Sequence, residues 1–244
     1  MGKAEADTIR SWEELSHLYE SKVFSVTSFR ERRQRILREI VPGAVADVGC
    51  GPLGLMLSEI CRLPKTIAIG SDSCLEMIVQ SRNKTESCDV RYVVADNRQL
   101  PFPSSSMDTI VSINSFVPES REDVELMFQQ SKRVLRKGGR LVAMLPSFEM
   151  SLIARDTWRM PVRLDLKGHR EWETSGWQCF YTEADIHELV RKNRFPDYRL
   201  DRVAFSTPEE VTQIRRVYGD SVRGIPDALF ADYPLFEHLL IAER

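Results

Sequence analysis

Between positions 44 and 146, short apolar, β-branched runs alternate with stretches whose apolar residues recur at helical spacing. This alternation predicts a parallel sheet covered by helices. The strand pattern falls on residues 44–49, 66–72, 90–95, 107–113 and 140–145, and the helix pattern on 53–62, 73–82 and 120–136. Ser120, with Asp123 three places on, reads as a capping box for the last helix, and Lys137-Gly138-Gly139 stops it. Right-handed crossovers leave a doubly wound open sheet as the simplest topology, with a ligand crevice beyond the C-terminal ends of its strands.

The rhythm fails at 147–181, a stretch rich in Arg, Trp and Met with no clear period, which is predicted to be an insertion after the fifth strand that serves as a lid. Thr182 and Asp185 form a second capping-box pattern, opening a helix that runs to position 192. Closing strands are expected at 198–205 and 236–242, with a helical excursion over 207–232 opened by Thr207-Pro208. Ahead of the sheet, residues 11–40 read as one or two helices; Arg30, Arg32, Arg33, Arg35 and Arg38 interleave with Glu31 and Glu39, most simply as a solvated face. The 244 residues fit one domain: a helical cap at 1–43, a ligand-binding core at 44–146, the lid at 147–181 and the rest of the sheet at 182–244.

Composition narrows the class without naming a partner. With 42% hydrophobic and 29% charged residues the chain can bury a sizeable core, and a formal net charge of -2 argues against a surface built for nucleic acid. The polar, acidic start and the lack of any run of about 18 apolar residues argue against export or membrane insertion. The five cysteines Cys50, Cys61, Cys74, Cys88 and Cys179 contain no C-x-x-C pair, which suits a reduced, cytoplasmic setting. Oligomeric state is not legible.

The most informative stretch is Asp47-Val-Gly-Cys-Gly-Pro-Leu-Gly54, between the first strand and the first helix. Gly49, Gly51 and Gly54 satisfy G-x-G-x-x-G, a turn that lets backbone approach a ligand closely. Two ligand classes use such a loop: dinucleotides, whose pyrophosphate wants a helix N-terminus, and S-adenosylmethionine, which carries a sulfonium and an amino acid tail. Asp47 suits the cationic ligand and would repel a pyrophosphate. Asp72, ending the second strand, can accept from ribose hydroxyls, or could simply cap the helix that Ser73 begins. Asp96 is placed to accept from an adenine amine, with Val94 and Asn97 flanking the base, though Asp before Asn also makes a good turn. Asn114 and Ser115 follow the fourth strand and could line the crevice.

His169 and Tyr181, in the lid, are the candidates for deprotonating an acceptor, and His17, His187 and His238 read as packing or surface residues. Trp12, Tyr19, Trp158, Trp172 and Trp177 could surround a ligand or form a small core of their own. Arg155, Arg159, Arg163, Lys167 and Arg170 could draw in an anionic acceptor. No His/Cys/Asp cluster has metal-ligand spacing.

The chain resembles the class I S-adenosylmethionine-dependent methyltransferases, especially the small-molecule group similar to quinone-biosynthesis enzymes. The matching pieces are DVGCGPLG at 47–54, IAIGSDSCLEMI at 67–78, VVAD at 93–96, LPFPSSSMDTIVS at 100–112 and RVLRKGGRLVAMLP at 133–146. The resemblance implies a Rossmann-like α/β fold with a seven-stranded sheet whose last strand is antiparallel. It implies S-adenosylmethionine as cofactor, with Asp47, Gly49, Cys50, Gly51, Asp72, Ser73, Asp96, Asn97 and Asn114 around it. The family's commoner G-x-G-x-G spacing is not kept, since Pro52-Leu53 delay the third glycine to 54. The expected function is methyl transfer to oxygen or nitrogen of a small molecule, anionic or aromatic; the alternatives are an RNA or protein methyltransferase, or a donor-binding regulatory protein without catalysis.

Overall fold

The computed structural model describes residues 12–19, 29–173 and 176–244. The expected parallel core is present: β1 (Ala44–Val48), β2 (Ile67–Asp72), β3 (Val90–Val94), β4 (Met107–Ile113) and β5 (Leu135–Pro146) pair in parallel. Two later strands, β9 (Asp197–Phe205) and β10 (Leu235–Glu243), complete a seven-stranded sheet of order β3-β2-β1-β4-β5-β10-β9. β10 is antiparallel to both its neighbours, as expected of the last strand.

Alternation within the strands feeds a core on each face of the sheet. Val45, Val111, Val142 and Leu239 enter one cluster, while Ala46, Ile110, Leu141 and Leu240 enter the other. The first is covered by α1 (Arg30–Leu37), α2 (Leu55–Ile60), α5 (Phe148–Asp156), α7 (Pro208–Tyr218) and α8 (Asp227–Asp232), and the second by α4 (Arg121–Val134) and α6 (Glu183–Lys192). α3 (Leu75–Lys84) packs beside β2 and β3. On α4 the buried residues Val124, Met127, Phe128, Ser131 and Val134 recur at helical spacing, so one stripe faces the sheet.

Several local expectations are corrected. Ser120 accepts from the Asp123 N–H at 3.1 Å, but the reciprocal half of that box is missing because the Asp123 carboxylate turns to Arg98, 3.3 Å away. Lys137-Gly138-Gly139 lies inside β5 instead of in a loop, and Gly138 donates to the Arg244 carbonyl at 2.7 Å. The α1 arginines are not a solvated row: Arg32 pairs with Glu210 at 2.6 Å, Arg35 with Asp201 at 3.2 Å, and Arg33 with Glu59. They tie α1 to α7, β9 and α2. Expectations for residues 11 and 20–28 lie outside the described residues.

The insertion has an architecture of its own. After α5 comes a three-stranded antiparallel sheet of β6 (Leu164–Asp165), β7 (Arg170–Glu173) and β8 (Gly176–Cys179). Trp172 and Trp177 meet edge to face at 5.5 Å across β7 and β8, with Arg163 stacked over both. In β7, Glu171 is buried and Trp172 is exposed, which inverts the usual pattern and explains why no strand period was legible.

Candidate active site

The strand ends of β1, β2, β3 and β4 open onto a cleft of about 580 Å³. Gly49 and Cys50 donate their N–H groups to the Ser71 carbonyl at 2.7 and 2.9 Å, which folds the loop back over β2. Gly49 has φ +70°, and a Cβ there would stand 2.3 Å from Ser115 Cβ, so only glycine fits. Gly54 serves a different end. It begins α2 at φ +64°, and a Cβ there would lie 3.0 Å from the Ser81 carbonyl, so the delayed third glycine seats α2 against α3.

The cleft gathers seven of the nine expected donor-site residues: Gly49, Gly51, Asp72, Ser73, Asp96, Asn97 and Asn114. Asp47 and Cys50 lie beneath the loop, lining a small void of about 30 Å³. Asp72 accepts from the Gly51 N–H and the Cys74 N–H, each at 3.0 Å, one on each oxygen. Each oxygen keeps a lone pair for a ribose hydroxyl. Burial raises the Asp72 pKa, and burial together with the Asp72 charge pushes Asp47 up to about 7. A buried carboxylate coupled to a half-buried one on the cleft wall suits a cation. Asn97 is buried with its Oδ1 unpartnered among the described residues, and Val94 is 50% exposed on the cleft wall, as a base-flanking pair would be. Asp96 is already engaged: it caps the turn Asn97–Gln99 and holds the Arg98 guanidinium at 2.6 Å.

A second cavity, about 230 Å³, adjoins the first and shares Trp12, Tyr19, Ile113, Asn114 and Val117 with it. Its remaining walls come from α5, β7, β8, α7, β9 and β10. Asn114, at φ +51°, lies where the two meet; its side-chain amide donates to Glu237 at 2.6 Å.

The two residues expected to act as bases lie elsewhere. His169 Nδ1 is 2.8 Å from Asp185, its ring stacks on Phe148 at 4.9 Å, and it lines neither cavity. Tyr181 is fully buried, donates to the Phe116 carbonyl, and lines neither cavity; burial raises its pKa well above the ordinary value. Both work as clamps between the lid, β4 and α6. None of Arg155, Arg159, Arg163, Lys167 and Arg170 lines the second cavity: Arg155 pairs with Asp156 and Arg170 with Asp165.

Sequence reading missed Glu171, Glu173 and Glu237, which line the second cavity. A signal for Glu237 existed. It interrupts the apolar run of β10, and an antiparallel last strand begins at the crevice edge, where Glu237 stands opposite Pro146 at the end of β5. His238, beside it, is fully buried with Nε2 3.2 Å from Glu149.

A doubly wound sheet of this order, with a glycine loop after the first strand and a carboxylate at the end of the second, defines a Rossmann-like α/β fold with its crevice at the strand ends. Residues 45–139 match the family described as "Methyltransferase domain". The chain is 33% identical over 120 residues to demethylmenaquinone methyltransferase of Thermus thermophilus, covering 48% of this chain and 53% of that protein. It is 27% identical over 198 residues to the chloroplastic 2-methyl-6-phytyl-1,4-hydroquinone methyltransferase of Spinacia oleracea, covering 78% and 50%. The chain thus spans about half the length of these curated relatives. In fold it is similar to a Haemonchus contortus phosphoethanolamine N-methyltransferase, solved with phosphomonomethylethanolamine and S-adenosylhomocysteine, at TM-score 0.69 and 16% identity, over 100% of this chain and 61% of that one. Residues 45–139 are thus similar to a methyltransferase domain, and the whole chain is similar in fold to a solved methyltransferase. No helix among the described residues is long and apolar enough to cross a membrane.

Proposed function

We propose that the chain is an S-adenosylmethionine-dependent methyltransferase whose acceptor is a small molecule bound in the second cavity. The observation that carries this reading is the shared wall: Tyr19, Ile113 and Asn114 border both spaces, so donor and acceptor meet there without crossing the protein. The modest volume of the second cavity and the hydroquinone acceptor named for the Spinacia relative support a small, ring-containing acceptor.

When bound, the donor supplies a methyl group already activated by its sulfonium. The protein holds, orients and keeps dry. Asp72 would hold the ribose, Asn97 and Val94 the adenine, and Asp47 the cationic end, while Gly49 leaves room for the backbone to approach. Fixing two reactants in line replaces an encounter in solution and supplies up to about 7–11 kcal/mol. Trp12 and Tyr19 cover the junction and exclude water from it.

Calorimetric titration tests the donor site. S-adenosylmethionine and S-adenosylhomocysteine are expected to bind and NADH is not, and Asp72→Ala is expected to weaken both by roughly tenfold or more, as loss of charge-assisted hydrogen bonds does. Binding of NADH alone, or of nothing, would remove the reading.

A further inference from the structure

The second cavity is walled by Trp12, Trp158, Phe180 and Phe236, yet Glu171, Glu173 and Glu237 also line it, and none of its described lining residues is Lys, Arg or His. Glu237 is 8% exposed. One of its oxygens takes the Asn114 amide, and the other, Oε2, has no partner among the described residues. Independently, Trp158 is 5% exposed and its indole N–H is also unpartnered among them. Buried polar atoms are nearly always satisfied. Glu237, Trp158 and Asn114, whose Oδ1 is likewise unpartnered among the described residues, line one cavity and point to a ligand that donates to oxygen and offers a π face or an acceptor to the indole.

The charge of that ligand follows. An anion would face the carboxylates with no cation among the described lining residues, and a neutral alcohol or phenol would leave Glu237 either charged and uncompensated in an apolar wall or held in its protonated form. Arg32, the cation felt by Glu237, is committed to Glu210 and stacked over Phe205. An organic ammonium meets both demands, its charge on the glutamates and its apolar body on the rings. We infer that the acceptor is a primary or secondary amine on an apolar, ring-sized body, with Glu237 as the carboxylate that receives its ammonium. This rests on the methyltransferase reading of the adjoining cleft and replaces the anionic acceptor suggested by the lid arginines.

The ammonium gives one proton to the Glu237 carboxylate, and the freed nitrogen lone pair forms the N–C bond as the donor's S–C bond breaks, its electron pair passing to sulfur. The positive charge moves from sulfur to the methylated nitrogen, and S-adenosylhomocysteine leaves. Burial pushes Glu237 up to about 7, and burial with the Glu171 charge pushes Glu173 to about 7, so a carboxyl that takes a proton near neutral pH stands at the reacting nitrogen.

The test uses probes matched in shape and differing in charge. Protein saturated with S-adenosylhomocysteine is titrated with tryptamine, tryptophol and indole-3-acetate, then with phenethylamine, 2-phenylethanol and phenylacetate, and the same compounds are offered with S-adenosylmethionine for methyl transfer. The amines are expected to bind roughly tenfold or more tighter than the matched alcohols, with the acids weakest. Glu237→Gln, which keeps an acceptor for Asn114, is expected to erase that preference while leaving S-adenosylhomocysteine affinity within about threefold; Glu173→Gln is the second variant should the first fold poorly. Equal binding of amine and alcohol, or methylation of alcohols, phenols or acids but not amines, overturns the inference and leaves the donor site standing. Failure of S-adenosylhomocysteine to bind overturns both.

Discussion

Asp47 and Asp72 stand near the C-terminal ends of neighbouring strands, and the Asp72 charge helps raise the pKa of Asp47. With Glu173 and Glu237 they form a group of buried acids whose protons the folded chain keeps longer than an unfolded chain does. Asp47 moves from 3.8 to about 7, and Glu173 and Glu237 from 4.5 to about 7, so in that window unfolding releases protons and stability falls as pH rises. Glu149 works the other way: although burial opposes it, hydrogen bonds from His238, Ser147 and backbone N–H groups hold it at about 2, so its contribution is lost as pH falls from 4.5 toward 2. The ligand-free protein is therefore expected to melt highest near pH 5 and lower at pH 7.5. Glu237→Gln is expected to raise the pH 7.5 midpoint by roughly 3 °C and leave the pH 5 midpoint unchanged. Thermal melts at the two pH values check this; equal gains at both would sink it. At this scale the residues proposed for the donor were legible because they sit in the glycine loop or just at the C-terminal ends of successive strands. Glu171 and Glu173 were not, because a charged residue facing inward from a four-residue strand looks like a polar loop.

At the scale of elements, caps were read more reliably than interiors. The Thr182 and Asp185 box forms as the spacing predicts, and α7 opens on Thr207 with Pro208 in its first turn and Glu210 completing a box. Asp185 carries an extra duty: its carboxylate also holds His169, and Arg121 lies 3.7 Å away, so the start of α6 is the point where the lid is fastened to α4. Asp185→Ala should cost about 1–2 kcal/mol through the lost cap and should also raise the proteolytic sensitivity of residues 164–173. Loss of stability without greater cleavage there would show that the clamp is unnecessary. Burial on α4 illustrates the energetic counterpart, since Phe128 is fully buried and contributes about 1.5–3 kcal/mol by leaving water. The lid's small sheet was missed because its strands are two to four residues long and β7 turns Trp172 outward while burying Glu171.

At the scale of the molecule, the order β3-β2-β1-β4-β5-β10-β9 divides labour. The half built from β1 to β4 forms the cleft proposed for the donor, and its alternation made it readable from the sequence. The half built from β5, β9, β10 and the lid shapes the acceptor cavity, and it was opaque because its side chains converge from segments far apart in the chain. The position of β10 also sets an order of assembly. β5 and β9 run the same way and are not paired; each joins the other in the sheet only through β10, which is synthesised after both. Until residues 235–243 arrive, β5 presents an open edge and β9 has no neighbour in the sheet, so a nascent or refolding chain passes through a state with two unsatisfied edges. Pulse-labelled hydrogen exchange during refolding should find the amides of β1 and β4 protected early and those of β9 and β10 protected together and late. Simultaneous protection of all would mean the sheet closes in one event. A donor-binding half that matures first would let S-adenosylmethionine act as a folding ligand before any acceptor site exists.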